Sequence, residues 1–103
     1  AVNTITAYHE NITILHCLSQ YPAEYQNLNL RSIQYLKERY PYRIGYSDHS
    51  IGIVAHAVAV ALGAEFIEKH ITLSHSLKGS DHKGALEPDG LWRMVRDIRN
   101  MET

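Results

Sequence analysis

Three of the seven histidines in this 103-residue chain, His16, His49 and His70, fall at or beside the ends of short apolar runs. The densest run is Ile44 to Ser50, Ile-Gly-Tyr-Ser-Asp-His-Ser, apolar at its start and ending in hydroxyl, carboxylate and imidazole groups. Side chains alternate along a strand, so Gly45, Ser47 and His49 share one face while Ile44, Tyr46 and Asp48 take the other. Strands 44–49 and 65–70 are consecutive; if they are neighbours, the imidazoles of His49 and His70 converge. Two neutral imidazoles with open positions beside them suit a divalent metal used as a Lewis acid, with water or substrate completing its shell. The spacing matches no compact zinc signature. The alternative is that each histidine is held by a structural hydrogen bond, and spacing does not choose between the two.

Other side chains offer less. Glu68 shares the face of His70, and if the fold is a barrel with that face inside, a carboxylate there needs a partner, which makes it a candidate for orienting a ligand or handling a proton. Asp48, on the face opposite His49, is expected to cap the following helix. Asp81, in a polar stretch, is either a solvated charge or an acceptor for sugar hydroxyls. His56 reads as a packing residue, His9, His75 and His82 as surface or loop residues, and Cys17 as a small buried hydrophobe rather than a nucleophile. No Gly-rich phosphate loop, Ser-His-Asp order or cysteine pair is present.

The elements that must position these groups repeat as strand, polar loop and helix. Residues 1–10 read as a terminal helical turn or two. The β-branched run 12–17, apolar on both faces, reads as a strand buried on both sides, ending near His16, Ser19 and Tyr21. Pro22 breaks the pattern, and a helix beginning near Asn27 or Asn29 carries Leu30, Ile33, Leu36 and Tyr40 up to Pro41. After the second strand an alanine-rich helix runs from about Ser50 to Leu62, with Gly63 as its C-terminal cap. It is so apolar that neighbours must cover most of it. A third strand, 65–70, precedes an irregular polar stretch to Ala85. Pro88 then opens a last helix, with Leu91, Val95 and Ile98 on one face. Three such units predict an α/β fold with a parallel sheet and right-handed crossovers, whose site forms at the C-terminal ends of the strands.

Length allows one domain, residues 1–103, which would bury roughly two-thirds of its unfolded surface in a single core. Apolar residues at 45% and charged residues at 20% fit a globular chain without a disorder signature. With 10 basic and 11 acidic residues scattered along the chain, there is no electrostatic footprint for nucleic acid or an anionic membrane. The single cysteine excludes an internal disulfide framework. No apolar run is long enough for a membrane span and no signal peptide is recognised, so the cytoplasm is the expected location. The uncapped start reads as the tail of a helix belonging to something larger.

Five motifs in order narrow the reading. Leu15-His16-Cys17-Leu18-Ser19-Gln20-Tyr21-Pro22, Ile44-Gly45-Tyr46-Ser47-Asp48-His49, Val60-Ala61-Leu62-Gly63-Ala64, Ile67-Glu68-Lys69-His70-Ile71-Thr72 and Lys78-Gly79-Ser80-Asp81-His82 with Leu86-Glu87-Pro88 closely resemble the sialic acid synthase family. The resemblance implies a (β/α)8 TIM barrel, of which this chain is the C-terminal portion, its sixth to eighth βα units. It implies an enzyme that condenses phosphoenolpyruvate with N-acetylmannosamine or a related amino sugar to a nine-carbon 2-keto acid, releasing phosphate. A divalent metal, typically Mn2+, is implied as cofactor, with His49 and His70 as its ligands. By motif, Ser47 contacts phosphoenolpyruvate, Tyr21 and Asp81 lie against the amino sugar, and Ser19 stands at a substrate-contacting position where some relatives carry Asn. Glu68 keeps its candidate catalytic role, and a homodimer is implied for the full-length protein. The lysines and acidic residue expected on earlier strands are absent, as is the antifreeze-like domain that follows these barrels, so the chain alone is expected to be inactive. With two open sheet edges it is expected to fold poorly alone or to self-associate. A related synthase of another surface sugar, of the legionaminic or spore-coat type, and a non-catalytic truncated barrel module are the alternatives.

Overall fold

The computed structural model describes residues 1–20, 23–74 and 85–102. Helix α1 (Val2–Thr6) leads into strand β1 (Thr13–Cys17), a 3-10 turn (Tyr25–Asn27) and helix α2 (Ser32–Arg39). Strand β2 (Arg43–Asp48), helix α3 (Val54–Ala61), strand β3 (Ile67–Lys69) and helix α4 (Pro88–Met101) follow. The strands form one sheet in the order β1-β2-β3, and both pairings are parallel. This is the expected α/β architecture.

Register places Leu15 beside Gly45 and Cys17 beside Ser47, then Tyr46 beside Ile67, Ser47 beside Glu68 and Asp48 beside Lys69. Ile44 and Tyr46 face the helices and are fully buried, in a cluster with Leu28, Ile33, Ala55 and Ala59. Gly45 faces the other way. A Cβ at that position would stand 2.4 Å from the Phe66 carbonyl oxygen and 2.6 Å from Leu15 Cδ2, so the two neighbouring strands approach only because no side chain intervenes.

Helix boundaries differ from the sequence reading for identifiable reasons. Asn29 adopts φ of 48° after the 3-10 turn, which delays α2 to Ser32. Ser50 is held in a parallel bridge to Ala23 and Gly52 takes φ of 90°, so α3 starts only at Val54. Gly63 ends α3 as expected, with φ of 108° and the Ala64 N–H donating to the Ala59 carbonyl at 3.0 Å. In α4, Pro88 opens the helix, but Met94 is the buried residue and Val95 is exposed. The packing stripe therefore runs through positions 91, 94 and 98, one step from the expected set. Of the apolar helix α3, Ala55, His56 and Ala59 are buried while Val54 and Val58 lie on the surface of this chain.

Candidate functional site

Parallel register pairs Ser47 with Glu68 and Asp48 with Lys69 at the ends of β2 and β3, and alternation sends the two rungs to opposite faces. On the first rung the Ser47 hydroxyl donates to Glu68 Oε1 at 2.6 Å. On the second, Asp48 pairs with Lys69 behind the sheet, 3.4 Å apart. Immediately beyond, the rings of His49 and His70 stack with centroids 5.9 Å apart and planes inclined by 29°. The predicted convergence of the two imidazoles is thus present, with a hydroxyl and a carboxylate just below it. These six residues line a cleft of about 230 Å³. Ser47 is buried, His49 is half-buried, and Glu68 and His70 are exposed in this chain.

The loop after β1 fixes His49 from the side. His49 Nδ1 lies 2.8 Å from the Leu18 carbonyl; a carbonyl only accepts, so Nδ1 carries the proton and the ring lone pair is on Nε2. The Ala23 N–H donates to the His49 carbonyl at 2.8 Å, and the Leu86 N–H donates to that of His70, also at 2.8 Å. Backbone from adjacent loops thereby ties down both histidine positions. A metal-ligating histidine is commonly oriented through its other ring nitrogen in this way. Two imidazoles so arranged suit a divalent ion that takes its remaining donors from water or substrate. Among the described residues no group of three or more His, Cys, Asp or Glu forms a closed cage.

Other candidates separate from this cleft. His16 points to the helix side, its Nε2 donating to the Leu28 carbonyl at 2.7 Å and its ring stacking on Tyr46 with centroids 6.0 Å apart. Its strand-end position is structural. Ser19 is exposed in the loop after β1, while Tyr21 and Asp81 lie outside the described residues. Cys17 is not the buried hydrophobe expected: it is exposed, with Sγ 3.7 Å from His49 Nδ1.

The expectation that Asp48 caps the next helix is also corrected, because α3 begins six residues further on and Asp48 anchors a buried polar network instead. Its Oδ1 accepts from the Tyr46 hydroxyl at 2.8 Å, the Ser50 N–H at 2.8 Å and the Ser50 hydroxyl at 2.6 Å. His56 Nε2 lies 2.8 Å from Oδ2, which makes His56 a member of this network as well as a packing residue. Burial works against the charged carboxylate, but the His56 and Ser50 interactions and the Lys69 charge outweigh it, holding Asp48 well below the usual carboxylate range. Burial pushes Lys69 down and Asp48 opposes that shift. Burial, followed by the Asp48 charge, pushes the Tyr46 phenol far up. The signal for the network was in the alternation: Asp48 and Lys69 are opposite charges on the same helix-facing side of adjacent strands, where isolated charges are costly.

A parallel three-stranded sheet with helical crossovers, and hydroxyl, carboxylate and imidazole groups gathered at the C-terminal strand ends, is the arrangement of α/β folds that place their sites at those ends. The NeuB family model matches residues 1–103, and the chain belongs to that family. It is 41% identical over 108 residues to the N,N'-diacetyllegionaminic acid synthase of Legionella pneumophila, covering 100% of this chain and 30% of that protein. Human N-acetylneuraminate-9-phosphate synthase is 45% identical over 93 residues, covering 89% of this chain and 26% of the human protein. The crystal structure of the spore coat polysaccharide biosynthesis protein spsE from Bacillus subtilis superimposes with a TM-score of 0.92 at 45% identity, over 98% of this chain and 29% of that one. The chain thus spans under a third of the relatives it matches. Among the described residues no helix is long and apolar enough to cross a membrane.

Proposed function

We propose that this chain supplies part of the active site of an enzyme condensing phosphoenolpyruvate with N-acetylmannosamine or a related amino sugar, to give a nine-carbon 2-keto acid and phosphate. The observation that carries the reading is the convergence of Ser47 and Glu68, 2.6 Å apart, with the stacked His49 and His70, at strand ends of a chain belonging to a family of sugar-acid synthases.

In this reading His49 and His70 hold a divalent ion, Mn2+ by preference, which when bound supplies a Lewis acid for the acceptor aldehyde. Ser47 binds phosphoenolpyruvate by turning its hydroxyl proton to the ligand from Glu68, which holds it in the free site. The enol carbon attacks the aldehyde carbon, water adds at the neighbouring carbon of phosphoenolpyruvate, and C–O cleavage releases phosphate. Glu68 holds or moves a proton at Oε2, the oxygen not bonded to Ser47. Ser19, Tyr21 and Asp81 contact the amino sugar. The backbone carbonyl that orients His49 keeps that ring from turning as substrates enter.

A second reading differs only in acceptor. Similarity to the Legionella protein over the whole chain favours a diacetylated amino sugar over N-acetylmannosamine. The test is phosphate release from phosphoenolpyruvate with a panel of amino sugars, on a protein that carries this chain with the rest of its barrel. Release with N-acetylmannosamine supports the first reading, release only with a diacetylated sugar supports the second, and release with none contradicts both.

A further inference from the structure

We propose that Lys69 is a positioning residue that sets the spacing of His49 and His70 from the opposite face of the sheet, by clamping the ends of β2 and β3 together. The inference rests on the two-histidine metal reading above.

Lys69 follows Glu68 and precedes His70, as Asp48 follows Ser47 and precedes His49, so the clamp sits between the two functional rungs. Its ammonium lies 3.4 Å from Asp48 Oδ2 and donates to the Ser50 carbonyl. One group thus grips the chain on both sides of His49, at the last residue of β2 and just beyond it. The side chains of Lys69 and Asp48 are only 2% and 0% exposed, so solvent neither screens nor replaces the contact. β3 is three residues long, and few ladder bonds define where its end lies relative to β2. Asp48 is itself held by Tyr46, Ser50 and His56, which makes it a fixed anchor rather than a mobile partner.

Stability alone would not require this arrangement, since a buried ion pair is often replaceable by apolar residues without loss. Geometry would. A shift of β3 along β2 moves His70 relative to His49 directly, and groups that orient metal ligands from behind commonly change metal affinity by about 10–100-fold.

The test is cobalt(II) titration of a protein carrying this chain with the rest of its barrel, following the visible absorption bands and the dissociation constant, with melting temperature measured separately without metal. Wild type, Lys69→Met and His70→Ala are compared. The expected result is that His70→Ala loses the site, while Lys69→Met keeps it with altered bands and affinity weakened about tenfold or more. Wild-type bands and affinity in Lys69→Met, whatever its melting temperature, alongside loss in His70→Ala, overturn the clamp and leave the metal reading intact. Undiminished binding in His70→Ala, or none in wild type, overturns both. If Lys69→Met does not fold, Asp48→Asn removes the charge facing Lys69 at nearly constant volume, and the same two outcomes decide.

Discussion

The Ser47 hydroxyl and the Glu68 carboxylate meet across parallel strands at 2.6 Å, two rungs below the stacked rings of His49 and His70 and on the same face. Because the partner of the hydroxyl is a carboxylate, the hydroxyl donates and leaves its own lone pairs to a second group. Phosphoenolpyruvate only accepts, so to bond it the Ser47 hydroxyl turns its proton from Glu68 to the ligand, while Glu68 keeps its other oxygen toward the cleft.

The two residues are expected to fail differently. In the proposed role Glu68 handles a proton, so Glu68→Gln, which keeps the shape, is expected to lower kcat by about 10²–10⁴-fold. Ser47→Ala removes one hydrogen bond to a charged ligand, and is expected to raise the KM for phosphoenolpyruvate about tenfold. Steady-state kinetics on both variants would reveal whether the roles are exchanged.

Gly45→Ala is expected to destabilise the fold by about 1–3 kcal/mol through overpacking. The new methyl would meet the Phe66 carbonyl, which belongs to backbone and cannot swing aside. Urea denaturation should show a lower midpoint at unchanged slope; an unchanged midpoint would mean that β3 can move away from β2 at no cost.

Tyr46 should govern part of the alkaline stability. Its phenol is buried against the Asp48 carboxylate, and its pKa is raised above the ordinary value of 10.0. The folded state therefore holds this proton more tightly than the unfolded state. The corresponding stability is complete below about pH 10 and declines as pH rises beyond it, by up to about 1.4 kcal/mol per pH unit. Tyr46→Phe removes this dependence, so the stability difference between wild type and variant should shrink from pH 9 to pH 11. A constant difference in urea titrations over that interval would refute it.

Much of this was legible because β2 states its own geometry. Alternation put Ser47 with His49 on one face and Asp48 on the other, and consecutive strands brought His49 and His70 together, while the register that pairs 47 with 68 and 48 with 69 came from the structure. What alternation does not contain is tertiary reach. Asp48 looked like a cap because a helix was expected at Ser50; only the late start of α3 frees it to bind Tyr46, Ser50 and His56. His16 had the same strand-end position as His49, and only burial against Leu28 and Tyr46 separates the structural imidazole from the candidate ligand. Cys17 faces the same side as Ser47, and in the three strands described nothing closes over it.

The central claim is that His49 and His70 together hold the ion needed for carbon–carbon bond formation. The most direct measurement is Mn2+-dependent phosphate release from phosphoenolpyruvate and the preferred amino sugar, after chelation and metal restoration, in wild type, His49→Ala and His70→Ala within the same barrel. Wild type should recover activity with Mn2+, while each variant should stay at the no-enzyme background at every Mn2+ concentration. Full Mn2+-restored turnover in either variant would contradict the account.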